Sequence, residues 1–283
     1  MPHITLCADD FGMNDAIDTG ILSLAHARRI NAISAMSQGP TFEDNAPSLR
    51  ALKNSIGLHL DLTEFAPGAP PSLLRLHTMA YTRRLDMAWI RQTISDQLDA
   101  FERGVQRRPQ HVDGHRHIHQ LPGVREALMD CLRKRYGEAM PRIRTTLRQR
   151  TPGQPWRTRI KAGIIERMGG RALDRLCRMH ATPTFGRFAG IYDFGRQAPG
   201  VEDTQIFLQA RYGHAMRQWI SHATRGDLIM CHPAHPALIR AGTQPDEHGD
   251  PIAQDRMAEF SVLTSAVFAQ WLHEADVQFE QVI

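Results

Sequence analysis

The feature that most constrains this chain is its rhythm, in which short apolar runs of strand length alternate with longer stretches at helical spacing. The first run, His3-Ile4-Thr5-Leu6-Cys7-Ala8, precedes Asn14 to Ala27, where Ile17, Ile21, Leu24 and Ala25 share one helical face behind an Asn14 N-cap. Ile30 to Ser37 reads as a strand, Phe42 to Lys53 as a helix, and Ser55 to His59 as the third strand. A helix over 86–104, a strand at His111-Val112-Asp113, a helix from Val124 to Tyr136 and a strand near Arg142-Ile143-Arg144 continue the series. Then come a basic helix ending near Met179, a strand over Thr182 to Phe185, a helix over 204–223, the strand Asp227 to Cys231 and a last helix over 255–274.

Such alternation requires parallel strands with crossover helices. Seven or eight strands in 283 residues predict an α/β fold of (β/α) barrel-like form, closed or incomplete, with a doubly wound sheet as the alternative. A hydrophobic share of 42% can fill one large core, so a single domain over 1–283 is expected. Three stretches read as loop insertions, 62–84, 146–200 and 233–252. The first, with Ala66-Pro67-Gly68-Ala69-Pro70-Pro71, and the last follow strand ends, where parallel folds keep their chemistry.

Cys7, Cys131, Cys177 and Cys231 form no CxxC pair, which points to a reducing, cytoplasmic setting rather than a disulfide framework. No basic leader or apolar run of roughly 18 residues signals export or a membrane span. The formal charge of +4 is uneven: residues 142–178 hold 11 Lys or Arg against Glu166 and Asp174. Arg167, Arg171 and Arg175 recur at the spacing of one helical face. A solvated helix surface is the plain reading, and an anionic substrate or peripheral membrane contact is the alternative. No nucleic-acid motif or interleaved aromatics accompany the charge, so nucleic acid is not an expected partner.

The chemistry gathers at strand ends. Asp9 and Asp10 close the first apolar run, His59 closes Ser55-Ile56-Gly57-Leu58-His59, and His115 follows His111-Val112-Asp113-Gly114. One carboxylate with two imidazoles makes a metal set with open positions, and the second carboxylate is left as a base. Asp9 and Asp10 point opposite ways on a regular strand, so a turn at Phe11-Gly12 is expected to bring both into one pocket. Asp113, His115, His117 and His119 sit at alternate positions, and His117 and His119 either support the ligands, line the substrate site or only pack. At Met230-Cys231-His232-Pro233-Ala234-His235, His232 is the better functional candidate because it is the first polar side chain after the strand.

Ala8-Asp9-Asp10-Phe11-Gly12, Ile56-Gly57-Leu58-His59, Val112-Asp113-Gly114-His115-Arg116-His117-Ile118-His119-Gln120-Leu121-Pro122 and Cys231-His232-Pro233 resemble, in order, the signature motifs of the YdjC-like (ChbG/HpnK-type) carbohydrate deacetylases. Arg256 with Glu259 resembles that family's C-terminal Arg-x-x-Glu. The resemblance implies a seven-stranded NodB/YdjC-like barrel and a metal-dependent hydrolase that removes acetyl from an N-acetylated amino sugar or glycoconjugate. It also implies one divalent ion, zinc or magnesium with cobalt or manganese as further options, held by Asp10, His59 and His115. Asp9 would be the base, Arg144 would orient the acidic pair, and His232 would be the acid. Residues 146–200 match no motif and leave the sugar, its charge and the oligomeric state open. The competing readings are a non-haem iron oxygenase, a metal-dependent phosphoesterase and a non-catalytic sugar-binding relic.

Overall fold

The computed structural model describes residues 1–194, 204–239 and 250–280. Strand β1 (His3–Phe11) leads into α1 (Asp15–His26), β2 (Ala32–Ala35), the short α2 (Phe42–Asn45) and β3 (Ser55–Leu60). Helices α3 (Leu73–Tyr81) and α4 (Met87–Val105) precede β4 (His111–Gly114), α5 (Val124–Tyr136) and β5 (Arg142–Ile143). Helices α6 (Trp156–Ile165) and α7 (Arg171–Met179), then β6 (Phe188–Ala189), α8 (Thr204–Ser221) and β7 (Leu228–Cys231) follow. Helices α9 (Ala253–Thr264) and α10 (Ala266–Glu274) and a final β8 (Gln278–Phe279) end the described chain.

The strands are parallel and lie in the order β5-β4-β3-β2-β1-β7-β6, with β8 added beside the start of β1. Among the described residues, the two ends of this curved sheet meet through single bridges, Ile143 to Thr184 and Arg148 to Phe188. The result is the expected incomplete barrel of seven strands.

Period-2 alternation sorts the side chains into two layers. Ile4, Leu6 and Ala8 of β1, Ile56, Leu58 and Leu60 of β3 and Val112 of β4 pack with Ile17, Ile21 and Leu24 of α1 and Ile94, Leu98 and Phe101 of α4. The other set faces inward, where Cys7, Ala32, Leu228 and Met230 make a small apolar cluster with Phe185 and Phe188. The helices start where the sequence supplies caps: Asn14 accepts from the Ile17 N–H at 3.0 Å, and Asp86 from Ala88 and Trp89 at 3.0 Å each.

Several expectations need correction. The 62–84 insertion contains α3, because Ser72 caps it and Leu76 and Ala80 fall on one buried face. Thr182 to Phe185 forms one bridge instead of a strand, and the strand role passes to Phe188–Ala189. The last helix breaks at Ser265, whose extended backbone ends α9 while its hydroxyl caps α10 at Phe268. Arg167 does not continue the face of Arg171 and Arg175, because Gly169 at φ 157° kinks the chain between them. Parts of the 146–200 and 233–252 insertions, residues 195–200 and 240–249, lie outside the described residues.

Candidate metal centre and active site

The inward positions of the strands carry polar side chains: Asp9 on β1, Ser34 on β2, Ser55 and His59 on β3, His111 and Asp113 on β4, and Arg144 just beyond β5. His111 bonds the hydroxyls of Ser55 at 2.9 Å and Ser34 at 3.0 Å. Gly57 makes room for it, since a Cβ there would lie 2.3 Å from the His111 ring. Ser34 donates to Asp113 Oδ2 at 2.7 Å. The barrel interior is therefore a connected polar network beneath the strand ends, in which Ser34, Ser55, His111 and Asp113 each find a partner that offsets their lost hydration.

Asp9 and Asp10 reach one pocket by a route other than the expected turn at Phe11-Gly12. The β1–β2 register shifts between Ala8 and Phe11, and Asp10 itself takes φ 73°. This bulge re-aims two successive carboxylates that regular alternation would separate. Asp18 pins the following turn, accepting from the Gly12 N–H at 2.6 Å and the Thr41 hydroxyl at 2.7 Å.

Asp10 Oδ1 lies 3.0 Å from His115 Nδ1 and 3.2 Å from His59 Nε2. The three residues can offer atoms within 4.8 Å of one another, as a metal set would. Donors sharing one ion at about 2.1 Å, at angles between octahedral and tetrahedral, sit roughly 3.0–3.4 Å apart. The His59 ring is fixed from behind, its Nδ1 2.6 Å from Asp113 Oδ1, which leaves Nε2 to face Asp10. Burial disfavours a charged His59, but Asp113, Asp9 and the hydrogen bonds to Asp10 and Asp113 prevail and hold the imidazole at about 10. Burial would raise Asp10, yet Arg256 and His115 hold its carboxyl well below the usual range. Among the described residues His115 Nε2 is buried without a hydrogen-bond partner, the Glu64 carboxylate lying 3.9 Å away. The donor chemistry and separations thus fit a divalent ion.

Asp9 is gripped by Arg144 through two hydrogen bonds, of 2.5 and 2.7 Å, and the same guanidinium reaches Asp113 Oδ2 at 2.5 Å. Burial opposes the charge on Asp113, but Arg144 and His59 keep its carboxyl well below the ordinary range. His232 stands across the pocket with its ring edge-on to Phe194 at 5.3 Å, and desolvation pushes it down to about 4. Its backbone N–H donates to Glu259 Oε2 at 2.5 Å, and Tyr192 donates to the other oxygen of Glu259 at 2.7 Å. Arg256 donates to Asp10 Oδ2 at 2.7 Å and to Asp250 at 2.5 Å.

Asp9, Asp10, His59, Asp113, His115 and Arg144 therefore converge, with His232 bordering them through Glu259 and Arg256. His119 turns away and bonds the Arg144 carbonyl at 2.8 Å, so it supports the arginine's backbone. His117, at φ 59°, packs edge-on to Phe188 at 5.4 Å, and its Nδ1 is buried without a hydrogen-bond partner among the described residues. Ser34 and Tyr192 are the participants that the sequence reading missed. Ser34 had a signal, a polar residue at an inward strand position, whereas Tyr192 lies in a segment with no readable motif.

An incomplete parallel barrel with a carboxylate–imidazole donor set at its strand ends is the class these features define. The chain belongs to the YdjC-like family, whose model matches residues 3–274. It is 28% identical over 298 residues to a carbohydrate deacetylase of Mus musculus, covering 98% of this chain and 92% of that protein. A Geobacillus stearothermophilus carbohydrate deacetylase is 27% identical over 286 residues, covering 96% and 93%. A chitooligosaccharide deacetylase of an Enterobacter species is 29% identical over 126 residues, 41% of this chain and 50% of that protein. Among solved structures, a candidate cellobiose-phosphate cleavage protein of Enterococcus faecalis shares the fold, with a TM-score of 0.62 at 17% identity over 99% of this chain and 97% of its own.

Proposed function

We propose that the chain is a metal-dependent carbohydrate deacetylase that hydrolyses the acetamide of an N-acetylated amino sugar to acetate and a free amine. The observation that carries this reading is the convergence of Asp10, His59 and His115 with Asp9 held alongside by Arg144. The names of the full-length relatives support the substrate class.

Asp10 Oδ1, His59 Nε2 and His115 Nδ1 would hold the ion, with zinc, magnesium, cobalt and manganese all compatible with a mixed nitrogen and oxygen set. A divalent ion there supplies Lewis acidity, polarising the acetamide carbonyl and bringing the pKa of water down toward about 7. Asp9 accepts the proton of the attacking water, and Arg144 keeps that carboxylate aimed through its two hydrogen bonds. As the C–N bond breaks, His232 passes a proton to the departing nitrogen, which is too basic to leave as an anion. Desolvation holds the resting imidazole near 4, so His232 is neutral before turnover, and the proton it delivers to the amine is the one that the attacking water gives up to Asp9. Asp113 holds the His59 tautomer throughout. The whole chain works as one catalytic domain, and its four free cysteines suit a cytoplasmic setting.

The test is acetate release from a panel of N-acetylated sugars, before and after chelation and with each metal restored. Activity that disappears with chelator and returns with a divalent ion is expected. Release of phosphate from phosphoesters without any acetate release, or consumption of oxygen, would overturn the reading.

A further inference from the structure

Helix α6 keeps three large apolar side chains in water. Trp156, Ile160 and Ile164 recur every four residues and are 64%, 52% and 50% exposed, while Thr158 and Ala162 on the other side are buried. Such a stripe gains nothing from the fold and marks a surface that another body covers. Its surroundings specify the body. Arg157, Arg159 and Arg167 are exposed and have no carboxylate partner among the described residues, whereas Arg148 and Arg171 share Glu166 at 3.2 and 2.7 Å. A groove of about 320 Å³ runs along the stripe, lined by Ile160 and Ile164 and by Arg159 and Arg167.

We propose that α6 and its flanking arginines dock the protein on a bilayer surface that contains acidic phospholipids. An apolar stripe edged by arginines that have no carboxylate partner among the described residues complements hydrocarbon lying beneath a layer of phosphates. Trp156 and the two isoleucines enter the headgroup boundary, and the guanidinium groups pair with phosphate oxygens. An apolar protein partner would cover the stripe and leave the cations unmatched. No helix among the described residues is long and apolar enough to cross a membrane, so the contact is peripheral.

The docking face adjoins the rim of the candidate active site. Lys161 of α6 donates to the Tyr192 carbonyl at 2.9 Å and lies 5.1 Å from the Phe194 ring, which in turn packs on His232. Docking therefore holds this rim at the membrane surface. The inference stands on the surface itself and is independent of the reaction assigned to the pocket.

Co-sedimentation of the full chain with vesicles of phosphatidylcholine mixed with phosphatidylglycerol, and with pure phosphatidylcholine, tests it. Binding to the mixed vesicles alone, weakened by added salt, is expected. The pairs Ile160→Ser with Ile164→Ser and Arg159→Ser with Arg167→Ser should each lower the bound fraction roughly tenfold or more, with circular dichroism and melting unchanged. The arginine pair is exposed and keeps the test open if the isoleucine pair disturbs folding. No binding of the unaltered chain to mixed vesicles, or unchanged binding by folded variants, overturns the proposal. So does a dimer in sedimentation equilibrium that Ile160→Ser with Ile164→Ser dissociates.

Discussion

Arg144 and Asp9 form a two-pronged pair, Nη1 to Oδ2 at 2.5 Å and Nη2 to Oδ1 at 2.7 Å, with both side chains out of contact with solvent. The same arginine also neutralises Asp113, which holds His59. One cation thus serves the two carboxylates that flank the donor set.

Removing that cation should be costly. Arg144→Ala leaves Asp9 and Asp113 as buried charges without their partner, with an expected loss of roughly 3–5 kcal/mol of stability. Urea unfolding measures it, and a loss below about 1 kcal/mol would show that the pair contributes little to the fold.

Asp9→Asn preserves shape while removing the base. Turnover should fall by at least about a hundredfold with metal content unchanged, whereas His59→Ala should lose the metal. Metal analysis alongside acetate release separates the two effects, and native turnover by Asp9→Asn would reject the base assignment.

Asp113 acts through His59. Asp113→Asn should weaken divalent-ion affinity by roughly 10–100-fold, read by competition with a chromogenic chelator. Equal affinity in the variant would mean that the His59 tautomer is fixed by other contacts.

His59 gives the metal-free protein a pH signature. Its folded value of about 10 is raised above the unfolded value of 6.5, so the stabilisation is fully present below 6.5 and is lost as pH rises through about 10. Chelator-treated protein should lose stability across that window, and His59→Gln should flatten this part of the profile. Metal competes with the same proton at Nε2, so ion affinity should rise over the same range. An unchanged slope in the variant would assign the titration elsewhere.

Gly57→Ala tests the packing beneath the site. The added Cβ meets the His111 ring at 2.3 Å, and overpacking of that kind costs about 1–3 kcal/mol. Thermal melting should drop, and combining the change with His111→Ala should recover part of the loss.

Much of this architecture was legible because strand and helix periods are local properties. The periods of Ile17, Ile21 and Leu24 and of Ile56 and Leu58 predicted elements and faces that the structure contains. Short or capped elements were less legible. Two-residue β6 and β8 are too brief to carry a period, and α3 was hidden by the proline-rich stretch before it. The helix break at Ser265 left no mark in the spacing, because a serine serves equally as an interior residue and as a cap.

For the site, the chain order alone placed Asp9, Asp10, His59, His115 and His232 at or just beyond strand ends, since polar residues closing apolar runs face the loops of a parallel sheet. Tertiary structure decided how those residues meet. The bulge that turns Asp10 to φ 73°, the reach of Arg256 across the fold to Asp10, the packing of His117 on Phe188 and the bond of His119 to the Arg144 carbonyl depend on contacts between distant segments. Periodicity fixes which way a side chain points from its own element. The distance between two elements comes from how their faces pack, and no local pattern encodes it.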